Sequence, residues 1–398
     1  MEDDCRAMEG TYFINPYRNH SLITLYAISQ ASRVFMLCPP ARLQIWMNGK
    51  AKNSLCLAKM SRQQSIIEWA CLLLFLLFKI KVIGPDQYTK IFACLSDIFV
   101  EGERSTVIYY QDYLHATNYK NRRIAKKICE FIIDVDKSDG NWQKSYAAIK
   151  AADLVIAPTS SMVEFISKYR RQGVVQAKYG GNYCDYISTI GRKSSKVKEL
   201  ESIKNDSKLS ECLFIVARCN SYRKGVDRMF NAIRCLHEII QKNVEIGHGV
   251  QRVHILIAGN IVEKEYVRES RSLINSLKRC KLIGLEATHL SRYEYMEVLG
   301  YADLFIMLSR RESTSLAALE ALHKCTPCLL TPECGVEGFI DGRHGRLINE
   351  DGELADVLRS IVSKNGINDI SRWKEFLKIE QDNFSWSHYI NTYKELLQ

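Results

Sequence analysis

The sequence predicts an α/β protein of two domains, each a doubly wound parallel sheet. Three observations point there. The chain has 398 residues, more than one hydrophobic core usually serves. Short apolar runs of strand length alternate with amphipathic helical stretches, which is the pattern of βαβ units. A charged, polar segment at 191–210 interrupts that alternation near the middle and reads as a linker. The expected domains are therefore 1–190 and 211–380, followed by a terminal helical segment at 381–398. Hydrophobic residues make up 46% of the chain, enough to fill two cores.

In the first half, residues 11–17 read as a strand ending in a polar turn that contains no glycine. Residues 19–29 carry Leu22, Leu25, Tyr26 and Ile28 at helical spacing, and 33–37 is a second strand. The most apolar run of the chain is 70–78, inside a helical stretch at 61–83. It is well short of the roughly 20 residues needed to cross a bilayer. Two readings remain for it: a buried helix, or one whose flanking Trp69, Lys79 and Lys81 sit at a membrane interface. Residues 106–110 form a β-branched and aromatic strand that runs into Gln111 and His115. Groups just past a strand's C-terminal end lie where open α/β sheets place ligands, so His115 is a candidate contact for a donor sugar or an acceptor hydroxyl. A plain surface histidine is the alternative. Lys120, Arg122, Arg123, Lys126 and Lys127 follow as a basic stripe on a predicted helical segment. It is either a solvated face or a site for an anionic lipid or an acceptor phosphate. Then come a strand at 131–136, a helix at 146–152, a strand at 154–157 and a capped helix at 159–169.

The second half repeats the alternation more strongly. Strands are predicted at 212–217, 253–258, 281–284, 304–308 and 328–330. Helices are predicted at 225–242, 263–279, 291–300 and 316–324, and a last helix at 388–397. Two loops carry chemistry. Between the first strand and helix lie Arg218 and Lys224, two cations beside a helix N-terminus, which suits a diphosphate. Between the strand at 304–308 and its helix lies a polar turn containing Glu312, with Glu320 eight positions on. An ionised carboxylate only accepts hydrogen bonds, so sugar or ribose hydroxyls are its natural partners beside phosphates. Two glutamates alone are better explained by one helix-terminal charge and one solvated side chain.

Together these residues resemble the retaining nucleotide-sugar glycosyltransferases of family 4 (glycosyl transferases group 1). Arg218, Lys224 and Gly225 match its Arg…Lys-Gly pattern, and Glu312 and Glu320 match its E-x7-E signature. Residues 335–348 match a glycine-rich run ending here in Gly345-Arg346-Leu347-Ile348, and 178–185 lie where the family leaves its first domain. The resemblance implies a GT-B fold, with two Rossmann-like domains facing across a cleft and a terminal helix crossing back to the first. It implies a hexosyltransferase that uses a nucleotide diphosphate sugar as co-substrate, retains anomeric configuration and needs no metal or other cofactor. Arg218 and Lys224 would then hold the diphosphate, Glu312 the donor sugar and Glu320 the ribose. Backbone N–H groups of Ser313, Thr314, Ser315 and Leu316 would face the donor; His115, from its place past a strand end and not from the resemblance, is a further candidate catalytic group. The chain departs from the family in three places. It has Ser313-Thr314-Ser315 where Gly-Phe-Gly is usual, and Lys324-Cys325-Thr326-Pro327 where Cys-Gly-Thr-Pro is usual. It also lacks glycines at 17–21. A nucleotide-sugar epimerase on the same fold and a catalytically degenerate GT-B subunit are the competing readings.

Composition narrows the setting. Fourteen cysteines are scattered without paired spacing, and Met1-Glu2-Asp3-Asp4 does not open a secretory leader, so a cytoplasmic protein with reduced thiols is expected. Cys325 and Cys328 form a C-x2-C, but no second pair follows and a zinc site is not expected. Residues 1–190 hold 24 Lys+Arg against 17 Asp+Glu, a surplus of 7 out of the chain's +10. The basic half suits an acidic partner, whether an anionic membrane surface, a lipid diphosphate or a nucleic acid, and together with 69–81 it points to a lipid-linked or polysaccharide acceptor at the inner membrane face. No nucleic-acid module is present, so nucleic acid is not an expected partner.

Overall fold

The computed structural model describes residues 11–14, 26–30, 34–37, 62–83, 85–100, 106–110, 126–130, 142–170, 172–182, 197–199, 201–202, 212–246, 250–280, 283–350, 352–363 and 366–398. The chain divides into two compact units, Met1–Lys178 with Tyr183–Thr189 and Trp386–Gln398, and Tyr179–Asn182 with Ile190–Ser385.

The first unit holds a parallel sheet of β1 (Thr11–Ile14), β2 (Val34–Leu37), β3 (Thr106–Tyr110), β4 (Lys126–Glu130), β5 (Leu154–Ala157) and β6 (Val174–Gln176), in the order β2-β1-β3-β4-β5-β6. The second holds β7 (Cys212–Ala217), β8 (Arg252–Ala258), β9 (Ile283–Thr288), β10 (Leu304–Met307), β11 (Cys328–Leu330) and β12 (Gly345–Leu347), in the order β12-β11-β10-β7-β8-β9. Every pairing is parallel. Both sheets are doubly wound, as the alternation of elements requires.

Central strands are apolar throughout because helices cover both faces. All residues of β7, β10 and β11 are buried. Leu213, Ile215 and Ala217 of β7 and Val253, Ile255 and Ile257 of β8 pack with Val226, Phe230 and Ile233 of the helix Val226–Ile246. Burying each such Val, Ile or Phe contributes about 1.5–3 kcal/mol. The edge strand β9 starts two residues later and runs four further than expected from its apolar residues. Its Gly284, Glu286 and Thr288 are half-exposed, and an edge strand needs little apolar signal.

In the first unit, the basic stretch does not continue as a helix. Lys126 and Lys127 open strand β4, followed by buried Ile128, Cys129 and Glu130. The strand expected at 131–136 lies outside the described residues, as do the turn at 17–21 and most of the helix at 19–29. Lys126 Nζ donates to the carbonyl of Leu396 at 2.8 Å, and Tyr389 Oη donates to Glu130 at 2.5 Å. Both bonds pin the last helix, Ser387–Leu397, to this sheet. The apolar stretch forms the helix Arg62–Lys79, and it has two faces. Ile67, Glu68, Cys71, Leu74 and Phe75 are buried, whereas Ile66, Trp69, Leu73 and Leu76 are exposed.

The helix Leu316–His323 ends in a motif that ordinarily calls for glycine. Thr326 N donates to Ala321 O at 2.9 Å, a six-to-one closure, and Cys325 takes the left-handed conformation at φ 56°. A side chain in that region is strained by about 1–2 kcal/mol. Cys325→Gly should therefore stabilise the protein by about 0.5–1 kcal/mol after the extra entropy of glycine in the unfolded chain is counted. The urea unfolding midpoint would read the gain, and an unchanged or lowered midpoint would contradict it.

Candidate functional site

Parallel register brings the C-terminal ends of β7, β8, β10 and β11 to one edge of the second sheet. Four loops leave from that edge. The loop after β7 carries Arg218 and Lys224. The loop after β8 opens with Gly259, the loop after β10 carries Glu312, and the loop after β11 runs from Thr331 to Gly335.

Lys224 closes a single 3-10 turn, Tyr222–Lys224, and the next residue, Gly225, is left-handed at φ 77°. Gly225 also rests against the carbonyl of Leu308, where a Cβ would collide. The loop is thus folded down onto the end of β10, and Lys224 Nζ meets Glu312 Oε1 across 88 residues of sequence. Glu312 is held from several sides. Its N–H donates to Glu333 O at 3.0 Å, and its Oε1 accepts from Ser309 Oγ at 3.3 Å. Arg223 Nη1 lies 3.4 Å from the same oxygen. Both partners are largely enclosed, with side chains 18% and 13% exposed. Burial lowers the Lys224 amine below its ordinary range, and the nearby Glu312 only partly offsets this.

Arg218 lies at the end of β7, with its N–H donating to Ile306 O at 2.9 Å. Its guanidinium donates to the carbonyl of Ala258 and lies over Gly259, at φ 109°, where a Cβ would push the guanidinium aside. On the other loop, Ser315 caps the helix Leu316–His323, its Oγ accepting from Ala318 N at 3.2 Å. The Ser315 N–H is taken by Cys334 O at 2.9 Å. That removes Ser315 from the set of N–H groups available to a ligand. Leu316 and Ala317 precede the helical ladder, and their N–H groups face out of the helix start. Gly335 is left-handed at φ 60° and passes Ser313 so closely that a Cβ would come within 2.7 Å of its carbonyl oxygen. Glu320 is buried on the second turn of the helix. The segment Tyr179–Asn182 belongs to this unit, with Gly181 packed on Leu319 and Glu320 and its N–H donating to Phe384 O at 2.7 Å.

The structure therefore brings Lys224 and Glu312 into contact and places Arg218 and the Ser313–Leu316 turn on the same edge. His115, Lys120, Arg122 and Arg123 lie outside the described residues. Lys126 and Lys127 sit at the N-terminal end of β4, the opposite end from a sheet's ligand edge, and Lys126 is bonded to Leu396. Sequence reasoning missed Arg223, Ser309, Gly259 and the pair Arg310–Asp227. Adjacent cations at 223–224 and 310–311, next to the residues already singled out, were the available signal. Among the described residues no group of three or more His, Cys, Asp or Glu could hold a metal ion.

The family model for "Family 4 Glycosyltransferase in conflict systems" matches residues 191–385. The chain has the GT-B fold, and residues 191–385, just under half of it, are similar to the family 4 glycosyltransferases. Solved structures similar to this chain include α,α-trehalose-6-phosphate synthase from Burkholderia multivorans. It is 13% identical with a TM-score of 0.59, covering 86% of this chain and 78% of that one. An E. coli trehalose-6-phosphate protein bound with UDP-2-fluoro glucose is 12% identical with a TM-score of 0.64, covering 97% and 98%. Anabaena HepE in complex with UDP is 13% identical with a TM-score of 0.63, covering 98% of each. No curated protein sequence matches the chain.

The glycine that folds the cation loop is open to test. Gly225→Ala forces a left-handed alanine into the Leu308 carbonyl. It should cost about 1–3 kcal/mol of stability and lift Lys224 away from Glu312. Thermal unfolding and nucleotide titration would check both effects, and a variant with wild-type stability would show that the loop is free to reshape.

Proposed function

We propose that the protein moves a hexose from a nucleotide diphosphate sugar to a glycan, lipid-linked or polysaccharide acceptor, with retention and without a metal. The observation that carries the reading is the meeting of Lys224 and Glu312. A cation suited to a leaving diphosphate and a carboxylate suited to sugar hydroxyls share one place, on loops from two different strands. In the transfer, the bond between the anomeric carbon and the diphosphate oxygen breaks, and the electron pair leaves with the diphosphate. Arg218 and Lys224 neutralise that growing charge, which is where fixed charges help most. The N–H groups at the start of the helix Leu316–His323 add a positive dipole end. Glu312 orients the sugar and Glu320 holds the ribose. Retention means that the acceptor oxygen bonds to the carbon on the face the diphosphate leaves, while its O–H bond breaks and the proton passes to the departing phosphate oxygen. Two structural neighbours hold UDP or a UDP sugar, which favours a uridine diphosphate donor here.

Lys224→Ala and Glu312→Gln should each lower transfer by at least about 100-fold, the scale of losing one transition-state contact. Isothermal titration across nucleotide sugars would identify the donor. Full activity in both variants would remove this site from the reaction.

The acceptor is met, in this reading, at an anionic membrane surface such as the inner face of a bilayer. No helix among the described residues is long and apolar enough to cross one. The helix Arg62–Lys79 instead offers a face to lie on it. Ile66, Trp69, Leu73 and Leu76, followed by Ile80 and Val82, are 42% to 68% exposed. Glu68 is turned into the core, so it adds no negative charge to that face. Exposed Lys79 and Lys81 at its end suit anionic headgroups. Co-sedimentation with phosphatidylglycerol vesicles should succeed at low salt, weaken at high salt and fail for Trp69→Ser with Leu73→Ser. A protein that ignores vesicles, or a dimer in solution that the same double variant splits, would reject the membrane as the occupant.

A further inference from the structure

The two loops of the site do not hold each other through Lys224 and Glu312 alone. Arg310, two residues before Glu312, reaches across to the other loop. Its Nη1 and Nη2 donate to the two carboxylate oxygens of Asp227 at 2.9 and 2.7 Å. Nη1 also donates to the Tyr222 carbonyl, and the guanidinium lies 3.9 Å over the Tyr222 ring. The Arg310 backbone N–H donates to Arg223 O at 2.9 Å. Tyr222 and Arg223 are the residues just before Lys224, and Asp227 stands in the first turn of the helix just after it.

We propose that Arg310 is a positioning residue that ties the Lys224 loop to the Glu312 loop and so sets where cation and carboxylate meet. This rests on the transferase reading of those two residues. Beside Arg310, the turn's approach is held by Arg223 Nη1 donating to Arg311 O at 3.1 Å and by Gly225 pressed on Leu308, and the turn itself is slight. It is a single 3-10 turn, its cap Ser221 makes no side-chain bond, and Tyr222 and Arg223 are more than half exposed. The far side of the loop is held by Tyr222 N–H donating to Glu263 at 3.2 Å, which fixes the turn's start but not its approach to Glu312. Arg310 is not itself a donor contact. Its two terminal nitrogens are engaged by Asp227 and Tyr222, and one face of its plane is covered by the Tyr222 ring. Asp227 fits the same account: burial pushes its carboxyl up, but the Arg310 guanidinium more than compensates and holds it below the usual range. Lysine cannot replace this arrangement, since a point charge has neither the planar fork nor the stacking face.

The test compares Arg310→Ala, Arg310→Lys, Asp227→Asn and the Arg310→Ala/Asp227→Asn double variant in the full chain. Arg310→Ala should lower kcat on the order of 10- to 100-fold, the scale of a catalytic group displaced by about 1 Å, with little change in nucleotide affinity. Arg310→Lys should be nearly as impaired, and the double variant no worse than either single one. A second readout does not depend on turnover. Acylation of Lys224 by an amine reagent, followed by mass spectrometry, should be severalfold faster in Arg310→Ala and Asp227→Asn. Wild-type kcat in Arg310→Ala or in Arg310→Lys, or an unchanged Lys224 acylation rate, would overturn the positioning role. Absence of wild-type turnover with every nucleotide sugar would instead defeat the transferase reading, and the acylation rates would still decide the tie.

Discussion

The contact between Lys224 and Glu312 is the constraint on which the second unit's site depends. Neither residue reaches the other by local folding. Lys224 is delivered by a turn folded back over the end of β10, and Glu312 by a loop fastened to the next loop at Glu333 and Cys334. The glycines at the two crossing points, Gly225 and Gly335, are both left-handed and both pressed on a neighbouring carbonyl. Backbone that runs this close to backbone leaves no room for a Cβ, so chain crossing and site geometry are one requirement.

The architecture was legible where burial is two-sided. β7, β10 and β11 are short runs of buried apolar residues, and their place between helical stretches identifies them without further help. β9 was less legible because it sits at the sheet's edge. Lys126 and Lys127 read as helical because they continue a basic stripe on a predicted helical segment. What makes them a strand is pairing with β3, a contact that local composition does not encode. The site shows the same division. Arg218, Lys224, Glu312 and Glu320 could be named because together they resemble the Arg…Lys-Gly and E-x7-E patterns of one family; neither pair alone is specific for a ligand. Arg310 and Asp227 could not, since their pairing spans 83 positions and neither residue alone suggests a ligand.

Departures from the family pattern have separate physical meanings. Cys325 stands where glycine is usual, and the helix still closes as if glycine were there, with the side chain carrying the strain. Ser315 stands in place of the second glycine before the helix, and it supplies a cap that glycine could not, bonding Ala318 N from its hydroxyl. The first substitution is a cost to stability. The second exchanges backbone freedom for a fixed helix start, which makes the N–H groups of Leu316 and Ala317 a preset feature of the loop.

A half-buried lysine beside a half-buried glutamate is a poor way to stabilise a fold. Removing both charges from water costs several kcal/mol per ion, and their attraction recovers that only with good supporting bonds. Here the balance is visible on Lys224 itself, because burial outweighs Glu312 and the amine is displaced downward. A group in that condition gains from any better anion brought to it. A diphosphate carries more charge than one carboxylate, and it would leave Glu312 free to accept from hydroxyl groups at the moment Lys224 turns away. Ionisable groups displaced in this way by burial gather at binding sites more often than in structural ion pairs.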